Sequence, residues 1–268
     1  MPRSETGPDF IESLARGIDV LRCFGPGVPS RSLTDVADAT DLARPTARRI
    51  LLTLEELGYV RSSDGRWTLT PRVLELGTAY VLSQGLWDLA RPHLEDLVTQ
   101  TGESSSIAQL DGADIVYVAR VAVPKIITLA VSIGTRFPAL QTSMGKVLLA
   151  ALPPDQVDNV LAEPSRSGLV ARWQPDREER ARHLREVRAR GWALADEHLA
   201  AGIRSVAVPL RNGDGDVVAA MNVTVHAAET SLEQLLEEHL PLLLTAAGRA
   251  SEDLALVDAV PQRTLHAR

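Results

Sequence analysis

Three arginines and one threonine stand close together in a stretch, residues 42–54, that contains no acidic residue. Arg44, Thr46 and Arg48 fall in the first turns of a predicted helix, and Arg49 follows directly. Arginine pairs with guanine, threonine contacts a thymine methyl group or a phosphate, and the first turns of such a helix reach base edges in the major groove. The stretch therefore predicts a DNA contact, against the alternative of a solvated helix face.

The residues around these arginines predict a small helical unit. Asp9 and Glu12 are spaced as a capping pair for a first helix, and a second helix is expected from Ser32. Pro45 suits the first turn of the third helix, and Gly58 marks the end of that helix.

A β-hairpin is predicted directly after the third helix. Asp64 and Gly65 lie between two alternating segments, which is a good signal for a hairpin turn. Arg61 and Arg66 flank this turn and could reach the adjacent phosphate backbone or minor groove. Three helices and a hairpin, at residues 9–70, are the plan of a winged helix-turn-helix.

Two further arginines lie on the first predicted helix. For Arg16 and Arg22, a phosphate contact and a plain surface position are equally open. We count Arg16, together with Pro45 at the start of the third helix, among the candidate DNA-binding residues. Cys23 follows the apolar pattern of the first helix and is expected in the core.

A second region begins beyond residue 70, with a linker helix predicted at residues 71–85 and a second domain at residues 86–257. Pro92 either kinks a helix or delays its start. After Gly102 the apolar pattern changes to the strand period, which predicts strands at 105–110, 115–120, 126–133, 192–195, 203–210 and 217–225. Further helices are predicted at 142–152, 155–162, 176–190 and 231–256, the last with a kink at Pro241. The fold class is thus α+β, with a largely antiparallel sheet.

The composition limits the class of protein. The chain has 268 residues, a net charge of −7 and a single cysteine, which excludes an internal disulfide and a cysteine-based zinc cluster. Residues 1–70 hold nine arginines and ten acidic residues, so any positive patch is local. The sequence shows neither an apolar run long enough for a membrane span nor a signal peptide, and a cytoplasmic protein without a membrane partner is expected.

Groups of acidic residues and histidines do not form a recognisable catalytic site. Asp196, Glu197 and His198 are consecutive, as are Glu238 and His239, and consecutive residues cannot all face one site. The six histidines lack metal-ligand spacing, and no phosphate-binding or nucleophile motif occurs. We therefore expect no enzyme, no metal and no cofactor, with turnover of a small acid as a remote alternative.

The order and spacing of several motifs, between about residues 10 and 255, resemble those of IclR-type transcriptional regulators. The motifs are Leu14–Leu21, Pro45–Leu51, Leu54–Val60, Thr142–Ala150, Gly191–Glu197 and Gly202–Pro209. Two segments, Tyr117–Val121 and Ser132–Ala139, are similar to the branch that controls aromatic-acid catabolism through the β-ketoadipate pathway, the protocatechuate and 4-hydroxybenzoate regulators. The resemblance implies a winged helix-turn-helix, a linker helix and a GAF-like effector domain. It also implies a homodimer, often a dimer of dimers, on a pseudo-palindromic promoter site.

The resemblance further implies a pocket for a small organic acid on one face of the effector-domain sheet. Carried over position by position, its lining is Ile126, Leu129, Ser143, Met144, Ala195, Ile203, Ser205, Asn222 and Thr224. Ala195 departs from relatives that carry an aspartate there. The residue types agree with an acidic ligand, because a helix that starts at Thr142 presents backbone N–H groups. Asn222 and Thr224 alternate on one strand and share a face.

Several pocket candidates also have a purely structural explanation. Thr142 or Ser143 caps a helix whatever the function of the protein, and Met144 is more often a core residue than a ligand contact. Asn222 and Thr224 could serve only to satisfy buried polar neighbours.

Two arginines, Arg120 and Arg136, could clamp a carboxylate, although residues at loop ends lie more often on the surface. The alternative at the level of protein class is a DNA-binding factor without a ligand. The expected function is a ligand-responsive transcriptional regulator that senses a small aromatic or dicarboxylic acid and controls a catabolic operon.

Overall fold

The computed structural model describes residues 7, 9–25, 27–77, 86–124, 131–170 and 172–258. The chain divides into two units, residues 1–83 and residues 84–268.

Three helices and a three-stranded sheet make up the first unit. They are α1 (Glu12–Arg22), α2 (Leu33–Thr40), α3 (Arg44–Glu56), β1 (Ser30–Ser32), β2 (Val60–Ser63) and β3 (Arg66–Leu69), with antiparallel strand order β1-β3-β2. The helices and the hairpin contribute Val20, Val36, Leu51 and Trp67 to one core. This arrangement confirms the predicted winged helix-turn-helix.

A side-chain cap sets the start of α2 but not that of α1. The Asp35 N–H donates to Ser32 Oγ at 3.2 Å, and the Ser32 N–H donates to the Asp35 carboxylate at 2.9 Å, which is a reciprocal capping box. The expected cap at Asp9 is wrong, because α1 begins after Ile11, whose apolar side chain accepts no hydrogen bond. Pro45 occupies the first turn of α3 as expected.

The predicted hairpin turn is present between β2 and β3. Asp64 and Gly65 both have positive φ angles, 51° and 72°, as a two-residue turn with the twist of the flanking strands requires. Beyond the hairpin, residues 73–77 are helical, and the rest of the predicted linker helix, residues 78–85, lies outside the described residues.

The second unit is built on a six-stranded sheet in which all pairs are antiparallel, with the order β6-β5-β4-β9-β8-β7. The strands are β4 (Ser104–Asp111), β5 (Asp114–Val121), β6 (Arg136–Pro138), β7 (Ala193–Asp196), β8 (Ile203–Arg211) and β9 (Val217–His226). The helices are α4 (Leu86–Thr101), α5 (Ser143–Ala151), α6 (Pro154–Ala162), α7 (Arg177–Arg190) and α8 (Leu240–Asp258). The α+β class is confirmed.

Helices cover both faces of this sheet. On one face α4 and α8 pack on β-branched and long apolar side chains such as Val206, Val208 and Met221. On the other face, α5 packs on small residues, namely Ala108, Ala193, Ala207 and Ala220. Because these side chains are short, α5 lies close to the sheet, and nearly all of its residues are buried.

The structure corrects the predicted strand at residues 126–133. Its first five residues lie outside the described part of the chain, and residues 131–135 form no strand but a turn with Gly134 at φ 87°. A short strand that the sequence pattern missed, β6, pairs with β5 instead. Ala139–Gln141 then form a 3₁₀ turn directly before α5.

Two prolines inside helices are accommodated differently. Pro92 lies within α4, which starts at Leu86 and continues to Thr101. The irregularity expected at Pro241 takes the form of a π-helical turn, Leu235–His239, directly before α8. Among the described residues, no helix combines the length and the apolar character that a membrane span requires.

Candidate functional site

The exposed side of α3 presents the arginines that the sequence singled out. Arg48 and Arg49 are exposed, and within the described part of the chain neither guanidinium has a hydrogen bond or an ion pair. Arg44 is also exposed and donates to Thr34 Oγ1 at 2.6 Å, which ties α3 to α2. Pro45 is exposed beside it. These groups form a positive patch on the predicted recognition helix.

The other candidate arginines of the first unit are engaged within the chain. Arg66 donates to both the hydroxyl and the carbonyl oxygen of Ser30, at 2.9 and 2.8 Å, and thereby fastens the hairpin to β1. Arg61 donates to Thr68 Oγ1 at 3.3 Å. Arg16 forms an ion pair with Glu12 on α1. All three remain at the surface, but a contact with DNA would have to share or displace these bonds.

A cavity lies on the α5 face of the sheet, at the end where β4 and β8 begin and where β5, β7 and β9 end. The space open to water-sized molecules is about 60 Å³. Its lining includes Ser104, Tyr117, Arg120, Val131, Gln141, Thr142, Ser143, Ala195, Leu199, Ile203, Ser205, Asn222, Thr224 and His226, together with the buried Glu103.

A β-bulge brings Tyr117 and Arg120 into this cavity together. Ile107 pairs with Ala119 and Ala108 pairs with Tyr117, so Val118 is an extra residue in β5. Side chains alternate along a regular strand, and two residues that are three apart would then face opposite sides. Because of the extra residue, Arg120 lies on the same side of the sheet as Tyr117, and both side chains line the cavity.

Arg120 has an unused donor inside the cavity wall. Its Nη1 donates to Ser106 Oγ at 2.9 Å, but the buried Nε has no hydrogen-bond partner among the described residues. Burial lowers the pKa of Arg120, yet a guanidinium stays charged in proteins. A buried donor without a partner costs about 1–3 kcal/mol, so this arginine is arranged to receive an acceptor.

Tyr117 supplies a second donor on the same wall. Its ring packs edge-on against Phe137, with the ring centres 5.6 Å apart. Burial raises the pKa of Tyr117 to about 12, so the phenol stays protonated at neutral pH and retains its hydrogen-bond proton.

The polar residues on the neighbouring strands are already linked to one another. The hydroxyl groups of Ser143 and Ser205 share a hydrogen bond at 2.8 Å. Asn222 Oδ1 accepts from the Ser106 N–H, and Asn222 Nδ2 donates to Thr224 Oγ1 at 2.9 Å. Asn222 therefore does satisfy buried neighbours, and in doing so it fixes the Thr224 hydroxyl at the cavity.

The structure places most of the predicted pocket residues together. Those that line the cavity are Ser143, Ala195, Ile203, Ser205, Asn222 and Thr224. Met144 does not: it is fully buried in the core between α5 and the sheet, because it follows Ser143 on the helix and points away from the opening. Ile126 and Leu129 lie outside the described residues. Thr142 lines the cavity and also caps α5, since its Oγ1 accepts from the Gly145 N–H at 3.0 Å.

From the sequence, Arg120 and Arg136 had equal weight as candidates to bind a carboxylate, whereas the structure separates them. Arg136 forms ion pairs with Asp111 and Asp114 and does not line the cavity. Arg120, for which a surface position was the commoner expectation, instead supplies a guanidinium group to the cavity wall. The bulge that turns it inward leaves no signal in the apolar pattern of β5. The described residues contain no group of histidine, cysteine or acidic side chains that could hold a metal ion.

Comparison with known proteins gives the same two-part organisation. The IclR helix-turn-helix domain matches residues 13–64, and the Bacterial transcriptional regulator IclR C-terminal domain matches residues 78–252. The Pca regulon regulatory protein of Pseudomonas putida is 38% identical over 240 residues, which cover 89% of this chain and 82% of that protein. The p-hydroxybenzoate hydroxylase transcriptional activator of Acinetobacter baylyi is 33% identical over 90% of each chain.

A solved structure agrees with the fold over nearly the whole length. The protein RHA06195 of Rhodococcus sp. RHA1 is 50% identical to this chain, covers 92% of it and all of its own length, and superimposes with a TM-score of 0.81. With both domains matched in order and curated relatives above 30% identity, the chain belongs to the IclR family of DNA-binding transcriptional regulators.

Proposed function

We propose that this regulator controls an operon for aromatic-acid catabolism and that it responds to a small aromatic acid bound in the cavity of the second unit. The observation that carries the proposal is Arg120, which lines the cavity and whose buried Nε lacks a partner in the described structure. A carboxylate is the acceptor that a guanidinium binds best, because two parallel charge-assisted hydrogen bonds fit its geometry.

The remaining walls suit a ring with a polar substituent. Val131, Leu199 and Ile203 provide apolar surface, while Ser143, Ser205 and Thr224 provide hydroxyl groups. Small-molecule sites combine an apolar lining with a few placed polar groups in this way. The names of two relatives, a Pca regulon regulator and an activator of p-hydroxybenzoate hydroxylase, support the aromatic branch.

The size of the cavity supports a response to the ligand. A cavity of roughly 150 Å³ accommodates benzene, whereas the space here is about 60 Å³. An aromatic acid would therefore push the walls apart as it binds. In our proposal the predicted linker, residues 71–85, passes this change to the DNA-binding unit. The expected coupling is about 1–3 kcal/mol, since ligand acts only through its different affinity for the two states.

We further propose that the chain binds a pseudo-palindromic promoter site as a homodimer, with a dimer of dimers as a further assembly, in the cytoplasm. Three apolar residues share one face of the α1 region and are exposed: Ile11 (63%), Leu14 (62%) and Ile18 (49%). Covering this stripe with the same stripe of a second copy would form a two-fold interface. A two-fold dimer presents two recognition helices to two half-sites.

The DNA immediately upstream of the chain's own gene provides the test. A mobility-shift assay is run with protocatechuate, 4-hydroxybenzoate, β-ketoadipate and glyoxylate, on the wild type and on Arg120→Leu. We expect an aromatic acid to alter the shift of the wild type, and Arg120→Leu to bind DNA normally without responding. Arg211→Leu is the matched control, because Arg211 is exposed at the far end of β8 from the cavity.

Three outcomes would contradict the proposal. An unaltered response in Arg120→Leu would show that Arg120 does not bind the carboxylate of the ligand. A specific shift indifferent to every acid would favour the ligand-independent factor. Turnover of an acid by the pure protein would favour the enzyme alternative.

A further inference from the structure

A cluster of side chains lies directly behind the cavity and plays no part in the proposed contacts with the ligand. Lys146 on α5 is fully buried; its Nζ donates to the carbonyl oxygen of Leu194 at 2.8 Å and lies 2.6 Å from His198 Nδ1. The same Nζ lies 4.6 Å from the centre of the Trp173 ring, which stacks on His198. The ring of His183 packs against Trp173, with the ring centres 5.2 Å apart. We call Lys146, Trp173, His183 and His198 the Lys146 cluster.

The residues of the Lys146 cluster and their hydrogen-bond partners are bonded to, or close in sequence to, residues that line the cavity. Gln141, which lines the cavity, donates from Nε2 to the Trp173 carbonyl at 3.1 Å. Leu199 follows His198 and lines the cavity, and Ala195 follows Leu194 and does the same. Thr142 and Ser143, one turn before Lys146 on α5, also lie in the wall. A charge on Lys146 therefore acts on the cavity through protein rather than through bulk water.

The surroundings of Lys146 leave that charge uncompensated. Among the described residues no carboxylate bonds to Nζ, and Asp196 on the adjacent strand is bound to Arg204 at 2.5 Å. Burial, with the nearby charge of Arg190, lowers the pKa of Lys146 to about 7. Burial and Lys146 itself lower the pKa of His198 to about 4, so this partner is neutral above pH 6.

The other charged groups around the cluster and the cavity must also be considered. His183 has its pKa lowered to about 4 by burial and by Lys146, and it too is neutral in this range. The charged side chains of α7 that act on His183 are Arg182, Glu186 and Arg190. In the cavity, Arg120 stays charged and Tyr117 stays protonated, the buried Glu103 accepts a hydrogen bond from Thr230 Oγ1 at 3.4 Å, and the ring of His226 also lines the space.

We propose that Lys146 is a positioning residue of the effector site, whose ammonium form strengthens the binding of an anionic effector and so makes the regulator sensitive to pH. The inference rests on the proposed function, since it requires an acid in the cavity. A ligand carboxylate supplies the negative charge that the buried ammonium lacks. By linkage, the acid must then favour the protonated lysine, and its affinity must fall as the pH rises and the ammonium loses its proton.

The chain offers a direct test because Lys125 and Lys146 are its only lysines. Labelling lysine with ¹³C at Cε gives two resonances in the intact protein, and Lys125→Arg assigns them. We expect one resonance to titrate near neutral pH, and its midpoint to rise when 4-hydroxybenzoate saturates the protein. A midpoint that the acid leaves unchanged would overturn the proposal.

Calorimetry between pH 6 and 8.5 measures the consequence for affinity. The carboxyl group of 4-hydroxybenzoate is ionised throughout, so its own charge at that group is constant. We expect Kd to rise with pH, about tenfold for each unit by which the acid raises the pKa of Lys146. Lys146→Met should bind more weakly at pH 6 and show a flat profile, whereas Lys146→Arg, always charged, should be flat but tighter than Lys146→Met.

His226→Gln separates the two groups that could produce such a profile. The slope should persist in His226→Gln and vanish in Lys146→Met; the reverse result would overturn the proposal. If the acid binds with no pH dependence, only this inference fails. If the acid does not bind at any pH, it is the proposed function that fails.

Discussion

The hydroxyl oxygens of Ser143 and Ser205 lie 2.8 Å apart, and their hydrogen bond joins the first turn of α5 to strand β8. The bond can form because α5 packs closely on a row of alanines. The same close approach appears behind the helix, where a Cβ atom built on Gly145 would lie only 2.1 Å from the carbonyl oxygen of Ala139. One wall of the cavity is therefore set by backbone packing.

Replacement of Gly145 by alanine should destabilise the second unit. The methyl group meets backbone atoms that cannot rotate away, so we expect a loss of about 1–3 kcal/mol or more in the free energy of unfolding. Gly248→Ala is the matched control, since Gly248 is an exposed residue of α8 with open space around it, and it should gain about 0.4–1 kcal/mol. Urea unfolding measures both, and equal effects would refute this account of the close packing.

Arg48→Ala and Arg49→Ala should weaken DNA binding through lost phosphate contacts. Each lost contact should reduce the slope of log affinity against log salt by about 0.9. Fluorescence anisotropy on the operator over a series of salt concentrations measures the slope, with Arg211→Ala as the control. If both variants keep the wild-type slope, these arginines do not contact phosphate.

Leu14→Glu should dissociate the proposed dimer, because it places a charge in the middle of the apolar stripe on α1. Sedimentation velocity should then report a monomer, and affinity for a complete operator should drop towards that for a half-site. Leu256→Glu, at a residue that is 66% exposed on α8, should leave the assembly unchanged. A dimeric Leu14→Glu variant would place the interface elsewhere.

Acid should destabilise the second unit between about pH 6.5 and 4. Burial lowers the pKa of both His183 and His198 from 6.5 to about 4, so in this range the unfolded chain takes up protons that the folded chain does not. Stability therefore falls as the pH falls.

The variant His183→Phe tests the same cluster by removing one of the two histidines. The buried Nε2 of His183 has no partner among the described residues, and removal of such a group should raise the free energy of unfolding by about 1 kcal/mol. The variant should also lose part of the acid slope and keep the part that belongs to His198. An unchanged slope in urea unfolding from pH 4.5 to 7 would contradict the assignment.

The sequence predicted the three helices and the hairpin of the first unit because each has a local signal, but it missed β1, whose pairing with β3 joins residues far apart in the chain. Ser32 with Asp35, Pro45, and the Asp64–Gly65 turn are recognisable from neighbouring residues alone. The failure at Asp9 is also local: a plausible cap lies three residues before the helix that actually forms.

The chemistry of the cavity could be predicted only in part. Ser205, Asn222 and Thr224 were predicted from the resemblance to the family, and the strand alternation agrees for Asn222 and Thr224. Arg120 depends on the extra residue Val118, and the cluster at Lys146 depends on contacts between α5, β7 and the segment at Trp173. Such contacts join residues far apart in the chain, and no periodic pattern records them.

The extra residue in β5 has a consequence for the comparison of this chain with sequences of a different length. Positions before and after Val118 obey opposite parity: odd-numbered side chains such as Ile115 and Tyr117 face α5, whereas beyond the bulge the even-numbered Arg120 does so. A strand that lacks Val118 would place Tyr117 and Arg120 two positions apart, which is the spacing of a regular strand, so the cation would stay in the cavity. The bulge therefore absorbs a difference of one residue in length, and an alignment that places the gap elsewhere in β5 would compare the wrong residues.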